Sequence, residues 1–505
     1  MRFSVLVLSL LLSSVALAQQ YGGVLRAGFQ TDPVGLDPHI TNATSTRNML
    51  ENTYEGLVRF DAGLQVHPAL AESWETSEDG LTWTFTLREG VTFHDGEPLT
   101  AEDVAFSINR IKDPAIASPR SDDFSVVESI DTEGDLTVVF NLSQPYAPLL
   151  SKLAHSLNVI VPQHVVEAEG DLQNTVVGTG AFRFVEYLPQ TRMVLERNPD
   201  YWRSDEQGNQ LPYLDGIEII FYPDPTARTT AIQTGNADWI EYVPSPDIPI
   251  LELDPDVELV GGIASNFRTL YMNASEPPFD NVLVRQAMSH AIDEQAIVDV
   301  ALFGTGGVAA TGTTIPADNF YGVDTSPYIG RDVERARELL AEAGYADGFE
   351  FDLYVTSTYD FLRTPAEVIQ AQLAEVGVTA NIVAEDWSIY LPRALAGDFT
   401  ATILGESGQA DPDDFLFNVF YTDNGGNLSQ FSDPVLDELL EQGRLVSDTG
   451  ERREIYARAQ ERIFEMAPHV FLFHSTQYVA HRSNVHGYEH FPNTSYLSLA
   501  EVWLD

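Results

Sequence analysis

Five of the eleven histidines in this 505-residue chain crowd toward its C-terminal end, at His469, His474, His481, His486 and His490, a grouping that raises the question of a metal. The spacing fits no ligand motif of the HExxH kind. His469 and His474 are five apart on a strand expected through Phe471 and Phe473, so two-residue alternation sends them to opposite faces. The run Asp411-Pro412-Asp413-Asp414 lacks the glycine and the distant glutamate of a calcium loop and reads as a turn or helix cap. Gly405-Glu406-Ser407-Gly408 misses the G-x-S-x-G nucleophile elbow by one position, and Gly178-Thr179-Gly180 lacks the third glycine of a dinucleotide-binding turn. Cysteine is absent, which excludes thiolate nucleophiles, thiolate metal sites and disulfides. No Ser/His/Asp or Ser/Lys set assembles by spacing. The residues therefore point to binding rather than bond-making, with no metal and no cofactor expected.

The elements that must position such a site are legible in the hydrophobic pattern. Leu81, Trp83, Phe85 and Leu87 alternate with threonines, the signature of a strand with one buried face. Thr100 and Asp103 form a variant capping box that opens a helix to about Ile111. Further strands are expected at Thr137–Leu142, Met193–Leu195 and Ile217–Tyr222, and helices over Val284–Val300 and Val333–Ala343. Phe349–Val355 and Val378–Val383 read as strands flanking a helix capped by Thr364, with Pro365 at its first position and Gly377 past its end, a βαβ crossover. The early part is strand-rich and the part from about 263 is α/β, which implies at least two cores.

Composition narrows the partners. The chain has 27 Lys+Arg against 76 Asp+Glu, a net charge of −49, which repels nucleic acid and anionic membrane surfaces. Only two lysines occur, Lys112 and Lys152. Acidity with few lysines suits a surface adapted to a salty medium, where self-repulsion is screened. A hydrophobic fraction of 44% with 27 Phe, 20 Tyr and 6 Trp excludes disorder. Residues 1–18 place Arg2 before an apolar run from Val5 to Leu12 and then Ala16-Leu17-Ala18, which reads as a cleaved secretory signal peptide. No cysteine follows to carry a lipid, and no later apolar run reaches membrane-spanning length, so an exported protein without membrane insertion is expected.

One stretch is far more specific: LTWTFTLREGVTFHDGEPLTAEDV at 81–104 resembles the signature of the bacterial extracellular solute-binding proteins, family 5, that serve peptide and nickel ABC importers. LDPH at 36–39, YEGLV at 54–58, ALAESW at 69–74, VGTGAFRF at 177–184, NPDYW at 198–202, and FRTLYMN followed by VRQAMSHAID within 267–293 support it in the same order. The resemblance implies an α/β bilobal periplasmic-binding-protein fold with an extra inserted domain, three domains in all. By block position, residues 19–57, 177–262 and 475–505 form lobe I, 58–176 the inserted domain and 263–474 lobe II. It further implies a periplasmic, monomeric binding protein that closes on a small-molecule or peptide ligand and hands it to the transmembrane subunits of an ABC permease. An exported hydrolase is the alternative of a different class, and no motif supports it.

The resemblance also places the pocket. Members that bind peptides hold the ligand's amino terminus with an Asp shortly after a Trp; aligned on Asp411-Pro412, these positions fall on Gly405 and Gly408. The Arg that pairs with a dipeptide carboxylate falls on Thr356. Loss of both clamps disfavours a free dipeptide, because a buried ionic group without a partner costs several kcal/mol. Longer or capped peptides are then expected, with oligosaccharides or other neutral polar ligands as the alternative. Glu406 and Asp411 are the nearest cation-holding candidates and Arg363 and Arg120 the anion-holding ones, each read in the first instance as a solvated surface charge. Trp387 corresponds to a pocket-facing Trp, Asn42 and Thr44 to a loop that touches the ligand, and Arg120 to a pocket aromatic. Thr356 and Thr402 supply neutral hydrogen bonds, and His474 lies near the expected crossover between lobes.

Overall fold

The alternating segment at 81–87 forms the strand Thr82–Leu87, with Trp83, Phe85 and Leu87 turned inward. It pairs antiparallel with Ala71–Thr76 and Thr137–Leu142, and the latter with Val127–Thr132, giving a four-stranded sheet. The helix Ala101–Lys112 packs on this sheet and starts where the capping box places it, Asp103 accepting from both the Thr100 N–H and its hydroxyl. The structure is a computed structural model that describes residues 19–313, 315, 320–323, 330–405 and 410–505. The expected signal segment 1–18 lies outside the described residues.

A second sheet of eleven strands spans the molecule. Its axis is a pair of long antiparallel strands, Val257–Met272 and His469–Arg482. Their ladder runs from Val257 opposite Arg482 to Ile263 opposite Thr476, shifts register, and resumes with Phe267 opposite His474. Within the shift, the Ser265 N–H leaves the ladder and donates to the Pro492 carbonyl at 2.8 Å. The apolar residues separate on either side of this span. Leu25, Phe29, Ile219, Trp239, Val479 and Tyr496 belong to one core, and Leu270, Leu353, Val355, Ile403, Val470 and Leu472 to another. The four-stranded sheet carries a third.

Two elements differ from expectation. The helix expected over Val284–Val300 is two, Val282–Ala291 and Glu294–Ala301, because the Asp293 carboxylate accepts from the Ala296 N–H at 3.0 Å and caps a new start. The crossover helix begins at Asp360 rather than after Thr364, so Pro365 lies inside it and offers no N–H to the Phe361 carbonyl. The flanking strands Glu350–Thr356 and Thr379–Glu385 pair in parallel, as a βαβ crossover requires.

The quoted motifs act mainly as scaffold. Asp37 of LDPH makes a two-pronged ion pair with Arg110 of the helix Ala101–Lys112, at 3.0 and 2.5 Å, and also accepts from the His39 and Leu172 N–H groups. Both side chains are buried. Burial alone would raise the Asp37 carboxyl, but Arg110 and the N–H donors hold it below its ordinary range. Gly178 of the VGTGAFRF block is needed for close approach, since a Cβ there would sit 2.1 Å from the Thr53 carbonyl oxygen. Replacing Asp37 by Asn leaves the Arg110 guanidinium buried without a counter-charge and is expected to cost about 3–5 kcal/mol in urea unfolding; the Asp37→Leu, Arg110→Met double variant is expected to lose less.

Glu241 follows the strand Trp239–Ile240, is 3% exposed, and accepts from the Gln30 N–H at 2.8 Å and the Tyr496 hydroxyl at 3.2 Å. Burial pushes its carboxyl up to about 7 against these hydrogen bonds. The folded state therefore holds a proton that the unfolded chain releases near its ordinary, lower value, so this contribution to stability is present at low pH and lost as pH rises through about 7. Glu241→Gln is expected to lose less stability than wild type between about pH 5 and 8, read by thermal unfolding across that range. An unchanged slope would remove Glu241 as the source.

Candidate ligand cleft

Sheet register fixes where a ligand site can lie. The strands Glu350–Thr356, Thr379–Glu385 and Ala401–Leu404 are mutually parallel across the sheet, so their carboxyl ends open on one edge. Thr269 pairs antiparallel with Leu404, which sets Arg268 level with Gly405 and aims that edge at the shifted span 263–267. On the other side, Val24–Phe29 runs parallel to Gly216–Phe221 and Trp239–Ile240. Ile240 is level with Ala480 and hence with Leu259, so these carboxyl ends advance toward the same span from below. Two carboxyl edges converge on one crossing, the place where open α/β sheets bind ligands.

On the second-lobe edge stand three aromatic side chains. Tyr359 and Phe361 are 38% and 40% exposed, and Trp387 is half-buried. Tyr359 and Trp387 meet edge to face at 5.0 Å, and Trp387 lies 5.7 Å from Tyr390 behind it. The Trp387 N–H donates to the Thr358 hydroxyl at 3.2 Å, tying the loops that follow the two parallel strands. Arg268 lies over the Phe361 ring at 5.3 Å and donates through Nη1 to the Phe267 carbonyl at 2.7 Å. Burial lowers its guanidinium from the ordinary value, and the groups that oppose this are Tyr271 and Tyr390. A Cβ at Gly405 would meet the Phe267 oxygen at 1.9 Å and Arg268 Cδ at 2.7 Å. A larger side chain has no room at this position, and Arg268 occupies the space.

The residues singled out from sequence divide. Asn42 is exposed and Thr44 half-buried at the first residue of the helix Thr44–Leu50. Trp387 and Gly405 stand on the converging edge, and His474 is buried in the crossing itself, opposite Phe267. Thr356 and Thr402 turn inward: the Thr356 hydroxyl accepts from the Thr358 N–H at 3.1 Å, and Thr402 donates to the Tyr354 carbonyl at 2.9 Å and meets the Tyr390 hydroxyl at 3.0 Å. Arg363 lies 3.9 Å from Glu367 on its own helix. Glu406 and Gly408 lie outside the described residues.

Two solvated charges of the sequence reading are in fact buried or half-buried. Asp411 is 4% exposed and accepts from Arg452 through both oxygens at 2.6 Å, from Ser151 at 3.0 Å and from the Asp413 N–H. Arg452 holds its carboxyl below the ordinary range in spite of burial. Arg120 donates to Asn158 at 3.0 Å and to Asp123. Both carboxylate oxygens of Asp411 are thus engaged, as are Nε and Nη2 of the half-buried Arg120. Asp411 is half of a bridge between segments distant in sequence: the short helix Leu149–Leu153 next to the four-stranded sheet sends Ser151 to Asp411 and Lys152 to Asp414, and the Ala147 N–H donates to the Arg444 carbonyl at 2.7 Å. Burial works against the Lys152 ammonium, but Asp414 and Asp123 hold it well above its ordinary value.

Sequence reasoning passed over Arg268, Tyr359 and Phe361. The signal for Arg268 was present, a cation in the apolar block FRTLYMN. A partly open pocket of about 190 Å³ lies elsewhere, where Glu51, Glu55, Arg203 and Glu501 are engaged with neighbouring groups. Among the described residues no three His, Asp or Glu side chains converge as a metal-holding group, and no helix is long and apolar enough to cross a membrane.

Comparison with known proteins agrees with this architecture. Residues 65–427 match the bacterial extracellular solute-binding proteins, family 5 Middle. The chain is 32% identical over 497 residues to the heme-binding protein A of Haemophilus influenzae, covering 91% of this chain and 88% of that protein. It is 31% identical over 503 residues to the dipeptide-binding protein of Escherichia coli strain K12, covering 92% of each. Among solved structures, HbpA2 from Haemophilus parasuis superposes with a TM-score of 0.84 at 31% identity, covering 96% of this chain and all of that one. With its bilobal α/β fold and its family signature, the chain belongs to the family 5 bacterial extracellular solute-binding proteins.

Proposed function

We propose that the chain is the periplasmic substrate-binding component of an ABC importer, exported by the signal segment 1–18, which captures peptides, longer or capped rather than free dipeptides, and delivers them to a membrane permease. Lobe I is 19–57, 177–262 and 475–505, the inserted domain 58–176 and lobe II 263–474, with the shifted ladder at 263–267 as the flexing point. The observation that carries the reading is the convergence of two carboxyl edges on that span, lined on one side by Tyr359, Phe361 and Trp387. Among the described residues the ammonium clamp is not replaced by the nearest carboxylates, because Asp411 is consumed by Arg452 and Asp386 by the Ser388 N–H and hydroxyl. The relatives named above carry unlike cargoes, so pocket chemistry rather than membership selects the ligand. The aromatic trio also suits an oligosaccharide, which stacks on such faces, but Thr356 and Thr402 withhold the neutral hydrogen bonds that reading needs.

Calorimetric titration of a tripeptide-to-pentapeptide library against cello- and xylo-oligosaccharides separates the two. Heat is expected from peptides, with the ligand recovered chemically unchanged; turnover would mark an enzyme, and micromolar free-dipeptide binding would overturn the clamp argument. The Lys152 bridge is expected to favour the closed form. Lys152→Met strands the buried Asp414 carboxylate, so ligand affinity is expected to fall about tenfold, equivalent to about 1.4 kcal/mol, with a larger radius of gyration by small-angle X-ray scattering. An unchanged radius and affinity would show that the bridge does not hold closure.

A further inference from the structure

Beside the cleft aromatics stands a cation that no carboxylate among the described residues pairs with. Most buried arginines elsewhere are matched: Arg110 and Arg452 face carboxylates, Arg285 donates to the Met466 and Phe279 carbonyls, and Arg228 to those of Tyr222 and Tyr242, while Arg59, whose Nε is sealed without a partner, is an exception. Arg268 makes no ion pair among the described residues, although the chain has 76 Asp+Glu to choose from. Its one protein acceptor is the carbonyl of the residue before it. That bond occupies Nη1 and the Phe361 ring covers a face, which leaves the edge formed by Nε and Nη2. Neither of these nitrogens is sealed from solvent without a partner, whereas Nε of Arg59 and of Arg228 is. A guanidinium edge of two parallel N–H groups matches the two oxygens of a carboxylate.

The surroundings favour the same sign of charge. Phe361 is the second residue of the helix Asp360–Ala374, whose N-cap Tyr359 places no side-chain acceptor on the helix start. The first-turn N–H groups and the helix dipole add positive potential beside Arg268. Gly405, which admits no Cβ, keeps the space that the Arg268 stem fills.

We propose that Arg268 is the anion anchor of the cleft, receiving a carboxylate of the cargo through Nε and Nη2 while Phe361, Tyr359 and Trp387 receive an adjoining apolar or aromatic group. The cargo is then an organic acid in the broad sense, and for a peptide it is the C-terminal carboxylate that the anchor reads. This rests on the reading of the crossing as the ligand cleft. It also reassigns the carboxylate clamp of this chain from the position of Thr356 to the neighbouring long strand.

The test titrates the purified mature chain and its Arg268→Gln and Arg268→Lys variants with matched pairs: N-acetyl-Ala-Ala-Phe as free acid and as C-terminal amide, and hippurate and indole-3-acetate with their neutral amides. Wild type is expected to bind acids about 30-fold tighter than amides, the scale of a hydrogen bond to a charged group. Arg268→Gln is expected to erase that acid-over-amide preference, and Arg268→Lys to keep only part of it. Should the glutamine variant fail to fold, the partial loss in Arg268→Lys, which preserves charge but not the fork, carries the test. Equal binding of acid and amide by wild type, a preference that survives in Arg268→Gln, or no binding by any acid of the panel overturns the assignment. Arg268-dependent binding of the aromatic acids without any peptide binding overturns the peptide reading and supports the anchor.

Discussion

Everything in this molecule hangs on a backbone ladder whose register breaks near its middle. Val257–Met272 and His469–Arg482 pair along most of their length, but the register shifts between Ile263 and Phe267 and again between Arg268 and Thr269. Unpaired backbone inside a sheet is costly, so the freed Ser265 N–H is returned to the Pro492 carbonyl. Above and below the break, separate apolar clusters hold each half rigid. The shifted residues are where both sets of strand ends point. On the proposed function, hinge and ligand site would share this one location, so that binding would couple to closure without a relay.

Charge is handled in the opposite way from what the composition suggests. A chain with a net charge of −49 exposes acidity freely, yet its scarce cations are concentrated in buried or half-buried roles. Arg110 locks the inserted domain to the first core, Arg452 holds Asp411, and Lys152 reaches Asp414 across the domain boundary. Each pair is desolvated and therefore depends on both partners being present. Against that pattern, Arg268 at the crossing makes no ion pair among the described residues.

Local pattern carried most of the secondary structure. Alternation at 81–87 and the Thr100–Asp103 box locate the strand and the helix start because both are set by near neighbours. The single helix expected at 284–300 and the late start expected at Thr364 failed for a related reason. Asp293 is a good cap in mid-pattern, and the turn before Pro365 is helical despite the proline. Family signature located the fold and the scaffold contacts. The site was less legible: Trp387 and Gly405 stand on the cleft edge, but Thr356, Thr402, Arg120 and Asp411 spend their polar groups on distant partners such as Tyr354, Asn158 and Arg452. Those partners are set by tertiary packing, and spacing along the chain does not encode it.

The rarity of lysine gives the interdomain bridge a chemical consequence. The chain has two ε-amines; Lys112 donates to the Val127 carbonyl, and Lys152 is held between Asp414 and Asp123. An ammonium so engaged is a poor nucleophile, since attack on an acylating reagent requires the free base. Were the helix Leu149–Leu153 to part from Asp414, Lys152 would return to water and to ordinary amine reactivity, with no crowd of lysines to obscure it. The covalent reactivity of a single side chain would then report whether that contact is made.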